Sequence, residues 1–317
     1  MTALVTGVTG QDGSYLAELL VAEGTEVVGL VRGPLDRSLP NLEAVRDRLT
    51  LVSGDVADAE RLDAVIREVA PDELYHLAAP TFVPASWDHP EETMHAIAGA
   101  TATVLLAARD VGARVLVASS PEIFGDCGVS PQDEDATRRP QSPYGVAKLA
   151  AHELVRVLRS RGGLHASTVI TYNHESPRRP ERFVTRKVTR GAAAIALGRE
   201  DHLVLGDLEA KRDWSHARDV VRGMVAAVRH DDPGDYVLAS GVARTVRELV
   251  DTAFAAAGID PTGRIHVDPT FVRRPEGTVM VGDASRAHRV LGWQPQIGFD
   301  QLIAEMVEAD LQDLRAA

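Results

Sequence analysis

The 317-residue chain carries 34 basic and 46 acidic side chains, which give a net charge of −12, and 44% of its residues are apolar. This acidic balance argues against a surface for nucleic acid or anionic membranes, and no apolar run approaches the ~18 residues that span a bilayer. Cys127 is the only cysteine, which excludes an internal disulfide and favours the reducing cytoplasm.

Short apolar runs alternate with amphipathic ones over the first 172 residues. They predict helices at 13–23, 57–70, 91–111 and 142–162, and strands at 3–7, 26–32, 49–55, 73–79, 114–120 and 165–172. Such alternation is typical of a parallel sheet covered by helices on both faces. The predicted fold class is α/β, a Rossmann-type doubly wound parallel sheet with a smaller α/β substrate-binding domain.

The pattern changes after about residue 172. A strongly basic, irregular stretch at 173–190 precedes predicted helices at 185–197 and 245–257, a predicted strand pair at 203–206 and 235–240, and a proline-rich stretch at 261–276. We predict a Rossmann domain over 1–172 that is rejoined by about 213–241. The smaller domain is expected to comprise 173–212 and 242–317, interleaved with the first.

The first strand-to-helix turn, VTGVTGQDGSYLAELL, places Gly7, Gly10 and Gly13 at G-x-x-G-x-x-G spacing. Glycines let the backbone approach a pyrophosphate closely, and the N–H groups that begin the following helix point at the phosphates. Because this turn follows a strand and precedes an amphipathic helix, it predicts a dinucleotide-binding site.

The choice of dinucleotide depends on the end of the second strand. NAD-preferring sites usually have an acidic residue there, whereas this chain has Arg32, which suits a 2′-phosphate and favours NADP over NAD. The alternative is that Arg32 is a solvated surface residue. Asp55, after the third strand, is expected near the adenine ring. Further cofactor contacts are expected from Thr9, Gln11, Asp12, Val56, Leu77, Ala78, Ala79 and Thr81.

The segment SPYGVAKLA contains a candidate acid–base pair. Tyr144 and Lys148 share one helical face, and a lysine ammonium near a phenol is expected to lower the tyrosine pKa. Such a tyrosine can take a proton from a sugar hydroxyl. Ser120, at the tip of the fifth strand, completes a Ser–Tyr–Lys set. Glu122 follows, where a carboxylate beside a buried strand end is costly unless it is solvated, paired or used.

Segments characteristic of one known protein family occur along nearly the whole chain: TGVTGQDGSYLAELL, APDELYHLAAP, SPYGVAKL, YNHESPRRPERFVTRKVTR, KRDWSHARDVV and GDASRAHRVLGW. In this combination the chain resembles the GDP-mannose 4,6-dehydratases, a family of extended short-chain dehydrogenases/reductases. The block at 173–190 is more specific than the Y-x-x-x-K motif, because it belongs to the nucleotide-sugar half of that family.

The resemblance implies a tightly held NADP and no net redox change. Tyr144 would take the 4-hydroxyl proton while the C4 hydride moves to NADP, and Glu122 would then remove the C5 proton. Water would leave from C6 and the hydride would return to C6, converting GDP-mannose to GDP-4-keto-6-deoxymannose. The alternative for Glu122 is a solvated loop carboxylate.

The resemblance also assigns binding residues. Cofactor contacts fall on His174 and Arg179, although His174 could equally be a structural histidine. A sugar contact falls on Ser86. Arg212 and Arg273 would clamp the pyrophosphate, which suits a guanidinium fork. The nucleotide-sugar contacts implied in full are Glu122, Asn173, Lys187, Arg212, Arg273 and Glu276.

Several positions depart from the family pattern. Pro121 stands where the family has Ser and cannot donate a proton, so Glu122 would act as both base and acid. Pro80 and Phe82 lie in AAPTFV, which replaces AAQSHV. The loop after the second strand, which bridges subunits in the family's tetramers, is short, so a homodimer is expected more than a homotetramer.

Two alternatives to this function remain. One is a related GDP-sugar enzyme: a dehydratase on another hexose or heptose, a 4-keto reductase or an epimerase. The other is a catalytically inactive NADP-binding regulatory protein, although Tyr144 and Lys148 are both present. We predict no metal site and no nucleic-acid or membrane partner.

Overall fold

The computed structural model describes residues 1–271 and 277–316. Its first half confirms the six predicted strands and four predicted helices, with the helix predicted at 91–111 continuing through a π-helical turn at His95–Gly99. In chain order the elements are β1 (Thr2–Thr6), α1 (Gln11–Ala22), β2 (Glu26–Val31), β3 (Leu49–Ser53), α2 (Ala59–Val69), β4 (Glu73–His76), α3 (Pro90–Met94), α4 (Ala100–Val111), β5 (Arg114–Ser119), α5 (Pro143–Gly162) and β6 (Ala166–Thr171).

The second half contains shorter strands and more helices than predicted. Its elements are β7 (Asn173–Glu175), α6 (Val184–Ala196), β8 (Leu203–Leu205), β9 (Lys211–His216), α7 (Ala217–Arg229), β10 (Asp235–Leu238), β11 (Ala243–Thr245), α8 (Val246–Ala256), β12 (Ile265–Val267), α9 (Ser285–Leu291) and α10 (Phe299–Ala316). Within the described ranges, none of the helices has the length and apolar character needed to cross a bilayer.

A seven-stranded parallel sheet forms the centre of the molecule and confirms the predicted fold class. Its strand order is β10-β6-β5-β4-β1-β2-β3, and every neighbouring pair runs parallel. The order of connection reverses between β1 and β4. Ligands of doubly wound sheets bind in the crevice that such a reversal opens at the carboxyl ends of the strands.

Helices cover both faces of this sheet, as its continuous apolar strands require. On one face α1 and α7 bury Leu16, Leu20 and Met224, and on the other α2 and α4 bury Ile66 and Leu105. Each fully buried leucine contributes about 1.5–3 kcal/mol relative to exposure. The sheet is therefore a rigid support for the loops at its carboxyl edge.

The predicted strand pair at 203–206 and 235–240 is wrong, although both strands exist. β8 pairs with β12, whereas β10 lies beside β6 at the edge of the main sheet. The physical reason is helix α7, which the sequence reasoning missed and which returns the chain to the sheet before β10 begins. Parallel strands are joined by such crossover helices. The stretch predicted as irregular also contains a strand, β7, which pairs with β9.

A third core lies in the smaller part of the molecule, where α6, α8 and α10 bury side chains such as Val188, Leu249 and Met306. Two later residues, Ala287 and Trp293, pack instead in the core beside α1 and α7. The indole Nε1 of Trp293 donates to the Asp219 carbonyl on α7, at 2.7 Å. Residues after 242 thus contribute to the core beside α1 and α7 as well as to the third core.

Candidate active site

A cavity of about 690 Å³ lies between the carboxyl edge of the sheet and the smaller part of the molecule. Residues from both halves of the chain line it, including all four predicted catalytic residues. The predicted site residues in this lining are Asp12, Leu77, Thr81, Ser120, Glu122, Tyr144, Lys148, Asn173, His174, Arg179 and Arg212. The remaining predicted residues are not part of this lining, and Arg273 and Glu276 lie outside the described ranges.

The glycine-rich turn leaves no room for side chains. Gly7 has a φ of +74°, and a Cβ there would lie 2.9 Å from the Ala78 backbone nitrogen. A Cβ on Gly13 would lie only 2.2 Å from the Gly7 carbonyl oxygen. Gly10 precedes α1 without a side-chain cap, so the N–H groups that begin this helix are available to an anion.

The loops around this turn are tied to it by hydrogen bonds between side-chain and backbone groups. The N–H groups of Leu77 and Ala78 donate to Thr6 Oγ1, both at 3.2 Å, and Asn41 Nδ2 donates to the Thr9 carbonyl at 3.0 Å. Farther along the edge, the exposed Arg32 follows β2, and Asp55 Oδ1 accepts from the Ala57 N–H. The other predicted cofactor residues near this edge are the partly buried Val56 and Ala79.

Gln11 and Asp12 connect the start of α1 to β7. Gln11 Nε2 donates to the His174 carbonyl at 3.0 Å, and Asp12 Oδ2 lies 2.8 Å from His174 Nε2. The other ring nitrogen of His174 lies 2.7 Å from the Tyr172 carbonyl. Both ring nitrogens therefore face acceptors, an arrangement that a charged imidazolium satisfies.

The pKa shifts agree with an ionised pair. Burial lowers the pKa of His174, but the charge and hydrogen bond of Asp12 outweigh it, so the pKa is raised overall. Burial raises the pKa of Asp12, and the charge of His174 reverses that, so it is lowered overall. His174 thus has a structural partner at the cavity.

Tyr144, Ser120 and Lys148 converge on the cavity from α5 and β5. The Tyr144 phenol is buried and hydrogen-bonded to Ser120. Lys148 Nζ donates to the Ala118 carbonyl at 2.8 Å and lies 5.8 Å from the centre of the Tyr144 ring. The helical spacing that the sequence suggested does bring the phenol and the ammonium to one face.

The expectation that Lys148 lowers the Tyr144 pKa is wrong for this arrangement. Burial raises the pKa of Tyr144 to about 12, against the lowering effects of the Ser120 hydrogen bond and the Arg179 charge. Burial also lowers the pKa of Lys148 to about 8. Both groups lose solvation, and the ammonium is held by a backbone carbonyl rather than by the phenol.

Glu122 lies on a short 3₁₀ turn, Pro121–Ile123, directly after β5. Its carboxylate Oε2 lies 3.4 Å from Ser142 Oγ, which also accepts from the Gly145 N–H as the N-cap of α5. A Cβ on Gly145 would lie 2.6 Å from the Glu122 carbonyl oxygen. Glycine thus lets the turn and the helix that carries Tyr144 approach closely.

Ser86 lies outside the cavity lining. Its Oγ donates to the Val83 carbonyl at 2.7 Å and accepts from the Tyr144 N–H at 3.2 Å, and the residue is buried. This hydroxyl therefore fixes the backbone of the tyrosine. The sequence suggested a sugar contact and gave no signal for this positioning contact.

The basic block at 173–190, which the family resemblance assigned to the nucleotide-sugar half, is largely neutralised within the protein. Asn173, at its start, lines the cavity. Four of the six cations pair with carboxylates: Arg178 with Glu18, Arg179 with Glu175, Arg186 with Asp310, and Arg190 with Glu181. Two of these partners, Glu18 and Asp310, lie on other elements far away in the sequence, so the sequence could not show which cations are occupied.

The other two cations of the block, Arg182 and Lys187, rest on aromatic rings. Arg182 lies over Phe82 and Phe183, and Lys187 Nζ lies 4.9 Å from the centre of the Phe271 ring. Arg182 and all three rings line the cavity. The sequence reasoning assigned Lys187 but missed Arg182, because nothing in the run distinguished it from its paired neighbours.

Arg212 lines the cavity from β9, opposite Arg244 of β11 in the strand register. The next residue, Asp213, is a buried anchor that sequence reasoning missed. It accepts hydrogen bonds from the N–H groups of Ser240, Gly241 and Gly282. These bonds fix the strand that carries Arg212. The predicted contacts Arg273 and Glu276 lie outside the described residues.

Comparisons with known proteins cover nearly the whole chain. The sequence model of the family described as GDP-mannose 4,6 dehydratase matches residues 4–306. A GDP-mannose 4,6-dehydratase of Sinorhizobium fredii is 42% identical over 341 aligned residues, which cover 99% of this chain and 97% of that protein. This match includes both the sheet and the smaller part.

Solved structures show the same architecture. DesIV, a dTDP-glucose 4,6-dehydratase from Streptomyces venezuelae with NAD and TYD bound, has a TM-score of 0.86 and 26% identity, covering 100% of this chain and 98% of that chain. RMD from Pseudomonas aeruginosa, complexed with NADPH, has a TM-score of 0.83 and 25% identity, covering 98% and 99%. One of these two structures thus holds NAD and the other NADPH.

Proposed function

The chain belongs to the GDP-mannose 4,6-dehydratase family, and we propose that it removes water from GDP-mannose to give GDP-4-keto-6-deoxymannose. The observation that carries this function is the meeting of Ser120, Glu122, Tyr144 and Lys148 at one cavity between the two halves of the molecule. The serine, tyrosine and lysine suit oxidation at a sugar hydroxyl. The additional carboxylate suits proton removal at the neighbouring carbon.

The cofactor is a nicotinamide dinucleotide, NADP in preference to NAD. The cradle of Gly7, Gly10 and Gly13, which any Cβ would fill, and the uncapped start of α1 fit a pyrophosphate. Arg32, exposed at the end of β2, supplies the positive charge for a 2′-phosphate. When bound, the nicotinamide would supply the group that takes a hydride from the sugar and gives it back.

The side chains perform the proton transfers. Tyr144, as its phenolate, takes the proton of the 4-hydroxyl, and the Ser120 hydroxyl, which is hydrogen-bonded to Tyr144, orients the substrate oxygen. The resulting ketone acidifies the C5 proton, which Glu122 removes. The C6 hydroxyl then leaves as water. Pro121 has no proton to donate, so Glu122 gives the proton it has taken to that leaving group. Tyr144 then gives the proton taken from the 4-hydroxyl to C5, so that one water is the only net loss.

A homodimer is the proposed assembly. Exposed apolar side chains of Leu106 on α4 and of Val146, Leu154 and Val157 on α5 lie on neighbouring helices. The three on α5 recur at spacings that place them on one helical face. A second copy of the chain would cover this face. Light scattering of the Leu154→Glu variant tests it, and a wild-type monomer would contradict the proposal. A cytoplasmic location stays a prediction.

Mass spectrometry of GDP-mannose after incubation with the purified protein and a catalytic amount of NADP tests the function. Loss of one water from the sugar without net cofactor reduction is expected. Glu122→Gln is expected to abolish water loss while the fold is kept, and normal dehydration by this variant would contradict the assigned C5 base.

An unchanged GDP-mannose peak would overturn the substrate assignment. Pro80, Phe82 and Pro121, which depart from the family pattern, would then direct the search to another hexose or heptose. Stoichiometric consumption of NADPH with a keto sugar would instead indicate a reductase. A panel of GDP-sugars, scored first for binding and then for turnover, separates these outcomes.

A further inference from the structure

We propose that Arg182, supported by the rings of Phe82 and Phe183, binds the diphosphate of the nucleotide sugar in the cavity. The inference rests on the proposed function for the chemical class of the ligand, a nucleoside diphosphate sugar. It adds a residue that neither the sequence motifs nor the family resemblance assigned. Phe82 acts in this proposal as a positioning residue for Arg182.

Most cations of the basic block already have carboxylate partners within the protein. Four of its six cations are occupied by carboxylates, and Arg186 is even buried against Asp310 at 2.7 Å. Among the residues that the structure describes, Arg182 and Lys187 have ring contacts instead of carboxylate partners. They are therefore the cations of this block whose charge is left for a ligand, and Lys187 is already assigned by the resemblance.

The Arg182 guanidinium lies over two phenylalanine rings. The Arg182 guanidinium carbon lies 5.7 Å from the centre of the Phe82 ring and 5.2 Å from that of Phe183. The two rings meet edge to face, with centres 6.3 Å apart. A guanidinium over an aromatic face keeps its in-plane N–H groups for an anion. The rings thus restrict the side chain without using its hydrogen-bond donors.

Arg182 and its two rings lie where the two halves of the molecule meet at the cavity. Phe82 belongs to the loop after β4, whereas Phe183 is the residue before α6, so the cluster joins the two halves across the cavity. Arg182 lines this cavity together with Arg212. A diphosphate is a ligand that two guanidinium groups suit, because each can donate two parallel hydrogen bonds.

Two ligands of this site contain a diphosphate, the nucleotide sugar and the dinucleotide. The glycine turn at the start of α1 already provides a cradle for the pyrophosphate of the dinucleotide. Arg182 lies instead two residues before α6, in the smaller part of the molecule. We therefore assign its ligand to the nucleotide sugar.

The proposal is tested by calorimetric measurement of the affinities of the NADP-loaded protein for GDP and for guanosine. Arg182→Gln is expected to weaken GDP about tenfold while guanosine changes less than twofold, since only GDP has the diphosphate. The NADP affinity is expected to stay within twofold. Arg199→Gln removes the same charge from an exposed residue outside the cavity and is expected to leave all three affinities unchanged.

Phe82→Leu tests the support of the guanidinium. Alone it is expected to weaken GDP about threefold, because the cation–π contact is lost while an apolar side chain remains. In the Arg182→Gln background it is expected to cause no further loss. A purely structural role of Phe82 would give the same loss in both backgrounds and would also weaken guanosine.

Unchanged GDP affinity in Arg182→Gln would overturn the inference and leave the proposed dehydratase intact. A tenfold loss of NADP affinity with GDP unaffected would assign Arg182 to the dinucleotide and overturn it as well. A wild-type protein that binds no GDP would overturn both the inference and the substrate class. Weakened GDP binding in a protein that does not dehydrate GDP-mannose would support the inference and contradict the function.

Discussion

The glycine turn at residues 7–13 and the basic block at 173–190 are both proposed to face a diphosphate, but they are built differently. The turn uses backbone N–H groups, and its glycines exclude side chains from the space that a ligand would fill. The block uses long cationic side chains, most of which pair with carboxylates of the protein. Charge in a sequence therefore says less about binding than backbone geometry does.

The difference follows from the range of the interactions. The contacts that define the turn are made within a few residues and with the neighbouring strand end at Ala78. The contacts that neutralise the block reach Glu18 on α1 and Asp310 on α10. The turn can thus be recognised locally, whereas the free cations of the block are known only after the chain has folded.

The largest expected effect is on the structural part of the basic block. Arg186→Leu leaves the fully buried Asp310 without its nearest cation, with only Arg190 remaining at 3.9 Å, and we expect a loss of about 3 kcal/mol in the free energy of unfolding. Urea denaturation measures it. Arg247→Gln, which breaks an exposed pair with Glu209, is the control and is expected to cost under about 1 kcal/mol. Equal costs would show that Arg186 is not a structural cation.

Gly13→Ala is expected to have the next largest effect, on the cofactor side of the comparison. The new Cβ would meet the Gly7 carbonyl oxygen at 2.2 Å, so the turn must open. We expect NADP affinity to fall about 100-fold, which corresponds to about 2.7 kcal/mol. Fluorescence titration measures it.

Gly162→Ala is the matched control for Gly13→Ala. Its Cβ would meet nothing closer than 3.8 Å, so NADP affinity is expected to stay at the wild-type value. If both alanine variants bound NADP equally well, the steric account of the turn would fail.

A smaller effect is expected at Arg32, the cation proposed to select the 2′-phosphate of the cofactor. Arg32→Asp replaces a charge that attracts a 2′-phosphate by one that repels it and accepts from a ribose hydroxyl. We expect the NADP/NAD preference to shift about tenfold toward NAD, measured as the ratio of dissociation constants. An unchanged ratio would show that Arg32 is a solvated surface residue that does not contact the 2′-phosphate.

The smallest expected effect is on the pair that connects the two regions. His174→Asn removes the partner of Asp12, and we expect a loss of about 1 kcal/mol near pH 5–6. Because the pKa of His174 is higher in the folded protein than its ordinary value of 6.5, the charged imidazolium stabilises the fold fully below pH 6.5. This contribution is lost as the pH rises through the pKa that His174 has in the folded protein. Because the pKa of Asp12 is lower in the folded protein than its ordinary value of 3.8, the Asp12 carboxylate stabilises the fold above pH 3.8.

The cost of His174→Asn should therefore shrink by pH 9, and denaturation at pH 5.5 and pH 9 checks this. A cost that is equal at both pH values would indicate that the pair contributes no charge interaction. Tyr172, whose carbonyl accepts from the same ring, keeps its place in either case because it is buried in a separate apolar cluster.

The sequence alone determined the parallel sheet, its first six strands, the glycine turn and the Ser–Tyr–Lys–Glu set. These features depend on short periodicities and on motifs whose members are close in the chain, such as Tyr144 and Lys148. The family resemblance extended this to a substrate class. The sequence missed α7 and therefore paired β8 with β10, because strand pairing depends on the whole connection between two strands.

Tertiary structure alone decided which polar groups are used by the protein itself. It gave Ser86 to the backbone of Tyr144, Asp12 to His174, and most of the basic block to carboxylates. It also raised the pKa of Tyr144, against the sequence expectation, because burial outweighs the Ser120 hydrogen bond and the charge of Arg179. Pairing and desolvation depend on residues far apart in the chain, so they are fixed only when the fold brings these residues together.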